Sequence, residues 1–327
     1  MLSAYRVENN RVTRTELEPG MPVPDGTVWL DLFTPTAEEV HAVENALDID
    51  VPTPDEMKEI EASSRLYIED GTMVMTSLVL AQVEMERPMC SAITFMLSHG
   101  KLVTLRYSDP LPFRAFAAKA LQKPGHKPGG FTQGEAVLMA LMDAIIDRGA
   151  DILERIGDEV NNLSFQVFGQ DGGGPRNRDL KEQLRRVGYQ GDMISKARES
   201  LVSLGRMLSF IAQRMGAALS PEIRGHVDTL THDAASLSDH ATFLSSKVNF
   251  LLETTLGLIN IEQNNIIKIF SVAGVALMPP TLIASVYGMN FRDMPELGWP
   301  YGYPLAVILM IVSAILPYIY FKRKGWL

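Results

Sequence analysis

Gly288-Met289-Asn290 ends a line of residues whose types and spacing could do chemistry. Counting back from Gly288 by threes and fours gives Ser285, Thr281, Met278, Gly274, Ser271, Ile267, Asn264 and Asn260, and Glu253 and Asn249 continue it. Such steps return to one face of an α-helix. The face is small or polar, whereas Val272, Val275, Leu277, Leu282, Ile283 and Val286 around it are larger and apolar. Two readings stand. Small residues let membrane helices approach closely, which makes the stripe a helix–helix contact. Alternatively it is a pore wall, with Asn264, Thr281 and Ser285 presenting oxygens and Ile267, Phe270 and Met278 forming constrictions.

The elements that must carry this line are two apolar spans. Ile269 to Tyr287 and Tyr303 to Phe321 contain no charged side chain, and each is about as long as the roughly 20 residues a bilayer-crossing helix needs. Lys268 precedes the first span and Lys322-Arg323-Lys324 follows the second, whereas the connecting loop carries Arg292 against Asp293 and Glu296. Positive charge at span ends stays inside, so both termini are expected in the cytoplasm and the loop outside. The N-terminus has no signal segment, which also keeps the residues before the spans inside. Two spans cannot enclose a water-filled path, so a pore requires several copies, and closed cyclic symmetry is the usual solution. Asn290 amides and Gly288 carbonyls would then ring the outer mouth. A strongly hydrated cation such as Mg²⁺ sheds water reluctantly, so neutral oxygens could hold it without trapping it. Asp293 and Glu296 would raise the local cation concentration.

The remaining sequence narrows the alternatives. A net charge of −9 argues against nucleic-acid binding, which wants a basic face. The single cysteine, Cys90, excludes an intrachain disulfide and reads as a packed thiol. There is no Gly-rich phosphate loop, nucleophile motif or zinc-ligand spacing, so the chain does not read as an enzyme. Residues 1–125 read as an α/β domain: a strand at Val28–Phe33, a Thr36-capped helix to Leu47, a second helix Asp55–Ser64, and two strand pairs. The pairs are Leu66–Ile68 with Met73–Gln82 and Ser91–Leu97 with Leu102–Tyr107, each turning at a glycine. The breakers Lys123 to Gly130 mark a boundary. Residues 131–219 read as an antiparallel pair, Gln133–Phe168 and Arg176–Leu219, joined by a Gly-rich loop. Ser220-Pro221-Glu222 starts a further helix that continues to Tyr287. At 1.5 Å per residue it would be about 100 Å long. The expected organisation is an α+β cytoplasmic domain, a long helical stalk (220–287) whose end is the first span (269–287), an external loop (288–302), a second transmembrane helix (303–321) and a basic cytoplasmic tail (322–327).

Tyr287-Gly288-Met289-Asn290, followed by Met294-Pro295-Glu296-Leu297 and the ending Tyr320-Phe321-Lys322-Arg323-Lys324-Gly325-Trp326-Leu327, resembles the CorA magnesium transport proteins, those of enteric bacteria in particular. The likeness extends through Lys247-Val248-Asn249-Phe250-Leu251 and Ile259-Asn260-Ile261-Glu262-Gln263-Asn264. It also reaches Met1-Leu2-Ser3-Ala4 and Glu8-Asn9-Asn10-Arg11, so it covers the whole chain, more weakly from about 110 to 230. Gly-Met-Asn and Met-Pro-Glu-Leu at this spacing from a C-terminal span form a specific signature.

The resemblance implies a funnel-shaped homopentamer in the inner membrane that passes Mg²⁺ inward, and often Co²⁺ and Ni²⁺, driven by membrane potential without ATP. It implies an ion-selecting mouth at Gly288, Met289 and Asn290. Pore positions follow at Asn264, Ile267, Phe270, Met278 and Thr281, with the acidic position at Glu253 and a basic ring at Lys322, Arg323 and Lys324. It also implies regulatory Mg²⁺ held between neighbouring cytoplasmic domains and closing the pore. Asp228, Asp233 and Asp239 are candidates on the long helix, with Asp50, Asp55, Glu59 and Glu61 on the facing surface. Two alternatives remain. A proton-coupled zinc carrier of the same superfamily often has Val or Ile where Met289 stands. A membrane-anchored sensor would need neither the stripe nor Asn290.

Overall fold

The computed structural model describes residues 1–8, 11–18, 20–81, 88–122, 133–168, 180–216, 219–290 and 294–326. Among the described residues seven strands form one sheet: β1 (Leu2–Glu8), β2 (Arg11–Leu17), β3 (Thr27–Phe33), β4 (Leu66–Glu69), β5 (Thr72–Ala81), β6 (Met89–Ser98) and β7 (Lys101–Arg106). Their order is β2-β1-β3-β7-β6-β5-β4. All neighbours run antiparallel except β3 and β7. The two glycine turns behave as their sequences demand. Asp70-Gly71 and His99-Gly100 have left-handed φ values of 46°, 82°, 50° and 71°. A two-residue hairpin turn needs that conformation twice in succession.

The helices are α1 (Ala37–Leu47), α2 (Ala62–Arg65), α3 (Leu111–Gln122), α4 (Gly134–Phe168), α5 (Leu180–Met215), α6 (Pro221–Tyr287) and α7 (Gly302–Arg323). Thr36 caps α1 through a reciprocal box: its hydroxyl accepts from Glu39 N–H at 3.2 Å, and the Glu39 carboxylate accepts from Thr36 N–H at 2.9 Å. The helix expected over Asp55–Ser64 is instead a short 3-10 turn, Glu56–Lys58, and the single turn α2. Between them Glu59 and Glu61 are extended. The Arg65 guanidinium takes the Glu59 carbonyl, and Ile60 points outward, 87% exposed. The strands β1 and β2 and helix α3 were not expected. The breakers expected at 123–130, the loop after Phe168, and Arg292 and Asp293 lie outside the described residues.

Alternation along the strands divides the core into two layers. Leu30, Leu32, Val103 and Leu105 face Val43 and Leu47 of α1. Trp29, Met75, Phe95 and Leu102 face the other way, against Phe113 of α3 and against Val137, Leu141, Leu208 and Val227 from the long helices. Tyr5 stacks on Trp29 with ring centroids 4.2 Å apart. On that same layer a charged pair is buried: Arg106 grips Asp31 with nitrogens at 2.9 and 3.0 Å. Cys90 donates to the Lys196 carbonyl, and burial pushes its thiol up to about 12, which leaves it an inert packed group. The chain divides into two compact units. The first contains the sheet and the helices packed on it, up to Leu251; the second contains the rest of α6 and all that follows.

Candidate functional site

In the second unit, α6 and α7 are long and apolar enough to cross a membrane. Each has a covered face. From residue 261 to the end of α6 the positions that are not exposed are Val272, Ala276, Pro279, Pro280, Ile283 and Tyr287, and along α7 they are Gly302, Ala306, Val307, Met310, Ser313, Ala314, Pro317 and Phe321. Both rows repeat at helical three- and four-residue steps, the pattern of one helix seam. The polar stripe lies elsewhere. Gly274, Met278, Thr281 and Ser285 each stand two residues from a covered position, or about 200° round the helix. All four are exposed, as are Glu253, Asn260, Asn264, Ile267, Phe270 and Ser271. Phe270 is 74% and Met278 73% exposed, unusual values for large apolar side chains outside a membrane or an interface. The helix-contact reading of the stripe therefore fails within one chain, where the contact face is the opposite one.

One hydroxyl on the stripe has its direction fixed by the helix. Thr281 donates its hydroxyl proton to the Leu277 carbonyl at 2.8 Å. Its oxygen then faces outward only as an acceptor. Gly274 meets nothing within 4 Å of where a Cβ would stand, so a gap separates the bulky Phe270 and Met278. At the upper end the helix closes with Gly288 N–H on the Ala284 carbonyl at 2.9 Å and Met289 N–H on Val286 at 3.3 Å. A Cβ on Gly288 would lie 3.1 Å from the Ala284 oxygen, a tight contact with the backbone of the preceding turn. Asn290 is exposed beyond that turn. Glu296 lies in a 3-10 turn, Pro295–Gly298.

Aromatic residues that the sequence reading passed over mark both ends of α7. Trp299 meets Tyr301 edge-on at 6.2 Å, and Tyr303 is 82% exposed. At the other end Tyr320 meets Phe321 edge-on, Phe321 stacks on Trp326, and the Lys324 ammonium lies over Tyr320 at 5.3 Å. Tyr301 and Tyr320 are separated by about 28 Å along a helix, close to the roughly 30 Å of a bilayer's hydrocarbon. Aromatics flanking an apolar run were the available signal. Lys322 and Arg323 occupy the last turn and Lys324 caps it.

A model of the CorA-like Mg²⁺ transporter proteins matches residues 24–323. The chain belongs to that family. It is 36% identical over 329 residues to the magnesium transport protein CorA of Escherichia coli K12, and 34% identical over 327 residues to that of Mannheimia succiniciproducens. Each alignment covers 100% of both chains. Among solved structures, the complete CorA magnesium transporter of Methanocaldococcus jannaschii superimposes with a TM-score of 0.74 at 18% identity, covering 100% of this chain and 99% of that one. Full-length CmaX superimposes with a TM-score of 0.66 at 15% identity, over 100% and 98%. The family fold is thus an α+β domain with long helices and two C-terminal apolar helices, as in this chain. CorA-like proteins are transporters, not enzymes.

The acids considered for regulation are not assembled in one chain. Asp228, Asp233 and Asp239 are all exposed on α6. Asp228 borders a shallow groove with Arg224 and Val227, whereas Asp233 faces Asp147 of α4. Among the described residues no three His, Cys, Asp or Glu side chains form a group that could hold a metal ion.

Proposed function

We propose that this protein is a channel-type transporter that lets Mg²⁺, with Co²⁺ and Ni²⁺ as further substrates, into the cell down the membrane potential. The single observation that carries this reading is the exposed oxygen-bearing stripe on α6, opposite the face that is covered within the chain and ending at Asn290. A face excluded from the intrachain seam and too polar for lipid is suited to water and ions. Copies around an axis would close those stripes into a pore, and five is the number that the CorA resemblance implies. The aromatic ends of α7 and the basic tail support an inner-membrane location with both termini cytoplasmic.

In this reading Gly288, Met289 and Asn290 form the mouth. Asn290 amides accept and orient the water shell of an ion that is reluctant to lose it. Thr281 and Ser285 carry it further, while Met278, Phe270 and Ile267 close the path by dewetting. Asn264, Asn260 and Glu253 receive it on the cytoplasmic side. Glu296 concentrates cations outside, and Lys322, Arg323 and Lys324 surround the exit. Closure follows when internal Mg²⁺ occupies sites that include Asp228, Asp233 or Asp239. Reversing the charge of Asp228 and Asp233 is therefore expected to raise the internal Mg²⁺ needed for half-closure about tenfold. Unchanged inhibition in flux assays would reduce these acids to ordinary solvated surface.

The deciding experiment is ion entry into proteoliposomes that hold a Mg²⁺ dye, under an imposed inside-negative potential. Mg²⁺ entry that follows voltage and ignores a proton gradient is expected. Zn²⁺ entry that requires protons, with little Mg²⁺ entry, would instead identify a zinc carrier. Absence of either flux at low internal Mg²⁺ would leave a membrane-anchored sensor.

A further inference from the structure

The first unit carries two opposite charge rows on opposite sides of α6. On α4, Asp143, Asp147, Asp151, Glu154 and Asp158 recur at steps of four, four, three and four, which places all five on one helix face. Among the described residues the row has few compensating partners. The histidine His226 stands 3.5 Å from Asp143, and Lys119 is the described cation that offsets Asp147. Partial desolvation, then the charges of Asp143, Asp151 and Asp233, raise the Asp147 carboxyl above its ordinary value. Asp151, Glu154 and Asp158 make no ion pair among the described residues.

The other row is basic. A groove of about 470 Å³ between α2, α5 and α6 contains Arg65, Arg198 and Arg206 against one acid, Glu199. It continues past Arg206 into a second hollow of about 500 Å³ beside Ala235 and Ser238. Arg198 and Arg206 are exposed, eight residues apart on one face of α5, and neither has an ion-pair partner among the described residues.

Two geometric facts connect the rows. The α4 and α5 helices run antiparallel and side by side: a Cβ on Gly149 would touch Leu201 at 3.5 Å, and Arg186 pairs with Glu159. Counting in opposite directions from the first contact, Asp143–Asp151 stand level with the α5 stretch from about 199 to 207, which holds Arg206 and adjoins Arg198. The rows also flank α6 on different sides. His226 and Asp233 border the acidic side, whereas Thr231, Ala235, Ser238 and Ser245 line the basic grooves. At 100° per residue those two sets lie roughly 140° apart round the helix, on either side of its buried line Val227, Leu230, Ala234 and Leu244.

We infer that the basic groove lined by Arg65, Arg198 and Arg206 receives the acidic α4 row, centred on Asp147 and Asp151, of a second copy of this chain. The inference rests on the ring of copies proposed above and adds the contact that joins neighbours. Rotation about an axis parallel to these helices preserves height, so rows at one level on opposite flanks meet head to tail in every successive copy. The contact is heterologous and closes a ring instead of a two-fold dimer. Arginine suits it, because its planar fork pairs with carboxylates more specifically than lysine does.

The test is charge exchange with the oligomeric state in detergent as readout. Arg198→Glu with Arg206→Glu, and separately Asp147→Arg with Asp151→Arg, are each expected to shift the sedimenting species from ring to single chain at moderate salt. All four changes in one chain are expected to restore the ring. Circular dichroism checks that each variant keeps its helices. As an independent measurement, Asp147→Cys and Arg206→Cys combined in a Cys90→Ser chain should give an oxidative cross-link ladder up to the full ring, and neither single cysteine should give any ladder. A wild-type ring that survives both reversals, or a double-cysteine chain that forms no ladder, overturns the contact while leaving the ring intact. A wild-type protein that sediments as a single chain overturns both the contact and the ring.

Discussion

Replacing Asn290 by Ala is expected to reduce Mg²⁺ entry by about 10²-fold or more while the oligomer remains whole. The size follows from what the amide does at the mouth. A hydrogen bond to a charged partner is worth roughly 1.5–3 kcal/mol, and the water shell of a divalent ion inherits much of that charge. In a ring, every subunit loses its amide at once. Two lost contacts already amount to about 3–6 kcal/mol, and each 1.4 kcal/mol is a factor of ten. Assembly should survive, because Asn290 is exposed beyond the last turn of α6 and away from the covered seam. Asn290→Asp separates two causes of failure. A carboxylate ring would bind the ion more tightly and release it slowly, so half-saturation should fall together with maximal flux. The measurement is dye-reported entry into proteoliposomes, with the oligomer checked by sedimentation. Normal entry in Asn290→Ala would remove the filter role of this residue.

The line of residues behind that prediction was legible because a helix repeats its faces at fixed steps, whatever surrounds it. What it faced was not legible. Which side of the last turns of α6 is covered, the row from Val272 to Tyr287, is set by tertiary packing, and no local pattern in α6 announces it. The hairpins at Asp70-Gly71 and His99-Gly100 were readable, since residues tolerant of positive φ are confined to such turns. Strand β1 was missed for the opposite reason: Leu2, Ser3, Ala4 and Tyr5 are all buried, so the alternation that identifies a strand is absent. Strand β2 reads as a charged edge, with Arg11, Arg14 and Glu16. Helix α3 had a usable signal in Pro110, just ahead of its first turn. The break between Glu56–Lys58 and α2 came from Arg65 taking the Glu59 carbonyl, a contact that residue propensity does not contain.

The second large effect is on folding, and it concerns a pair separated by 75 residues of sequence. Arg106→Ala is expected to lower the unfolding free energy by about 3–5 kcal/mol. The Arg106 and Asp31 side chains are 7% and 5% exposed, so neither can recover its lost partner from water. Arg106 also donates to Asp109 at 2.7 Å and to the Ser108 carbonyl at 3.0 Å, and its guanidinium lies 4.4 Å from the Phe33 ring centroid. Burial works against its charge, but the hydrogen bonds and charge of Asp31, then those of Asp109, raise its pKa further. Removing the guanidinium leaves the Asp31 carboxylate with the Thr104 hydroxyl, a single neutral donor at 2.8 Å. Most of the cost is therefore a stranded charge, not a lost attraction. That argument has its own control. Asp31→Leu with Arg106→Met removes both charges at similar volume and is expected to restore most of the stability, because desolvating the native pair offsets much of its Coulomb gain. Arg106→Lys should lie between, keeping the charge without the two-pronged geometry. Denaturant unfolding of the detergent-solubilised protein, followed by circular dichroism, measures all three. If the double variant loses as much as Arg106→Ala alone, the pair matters through its shape and hydrogen bonds, and the stranded-charge account is wrong.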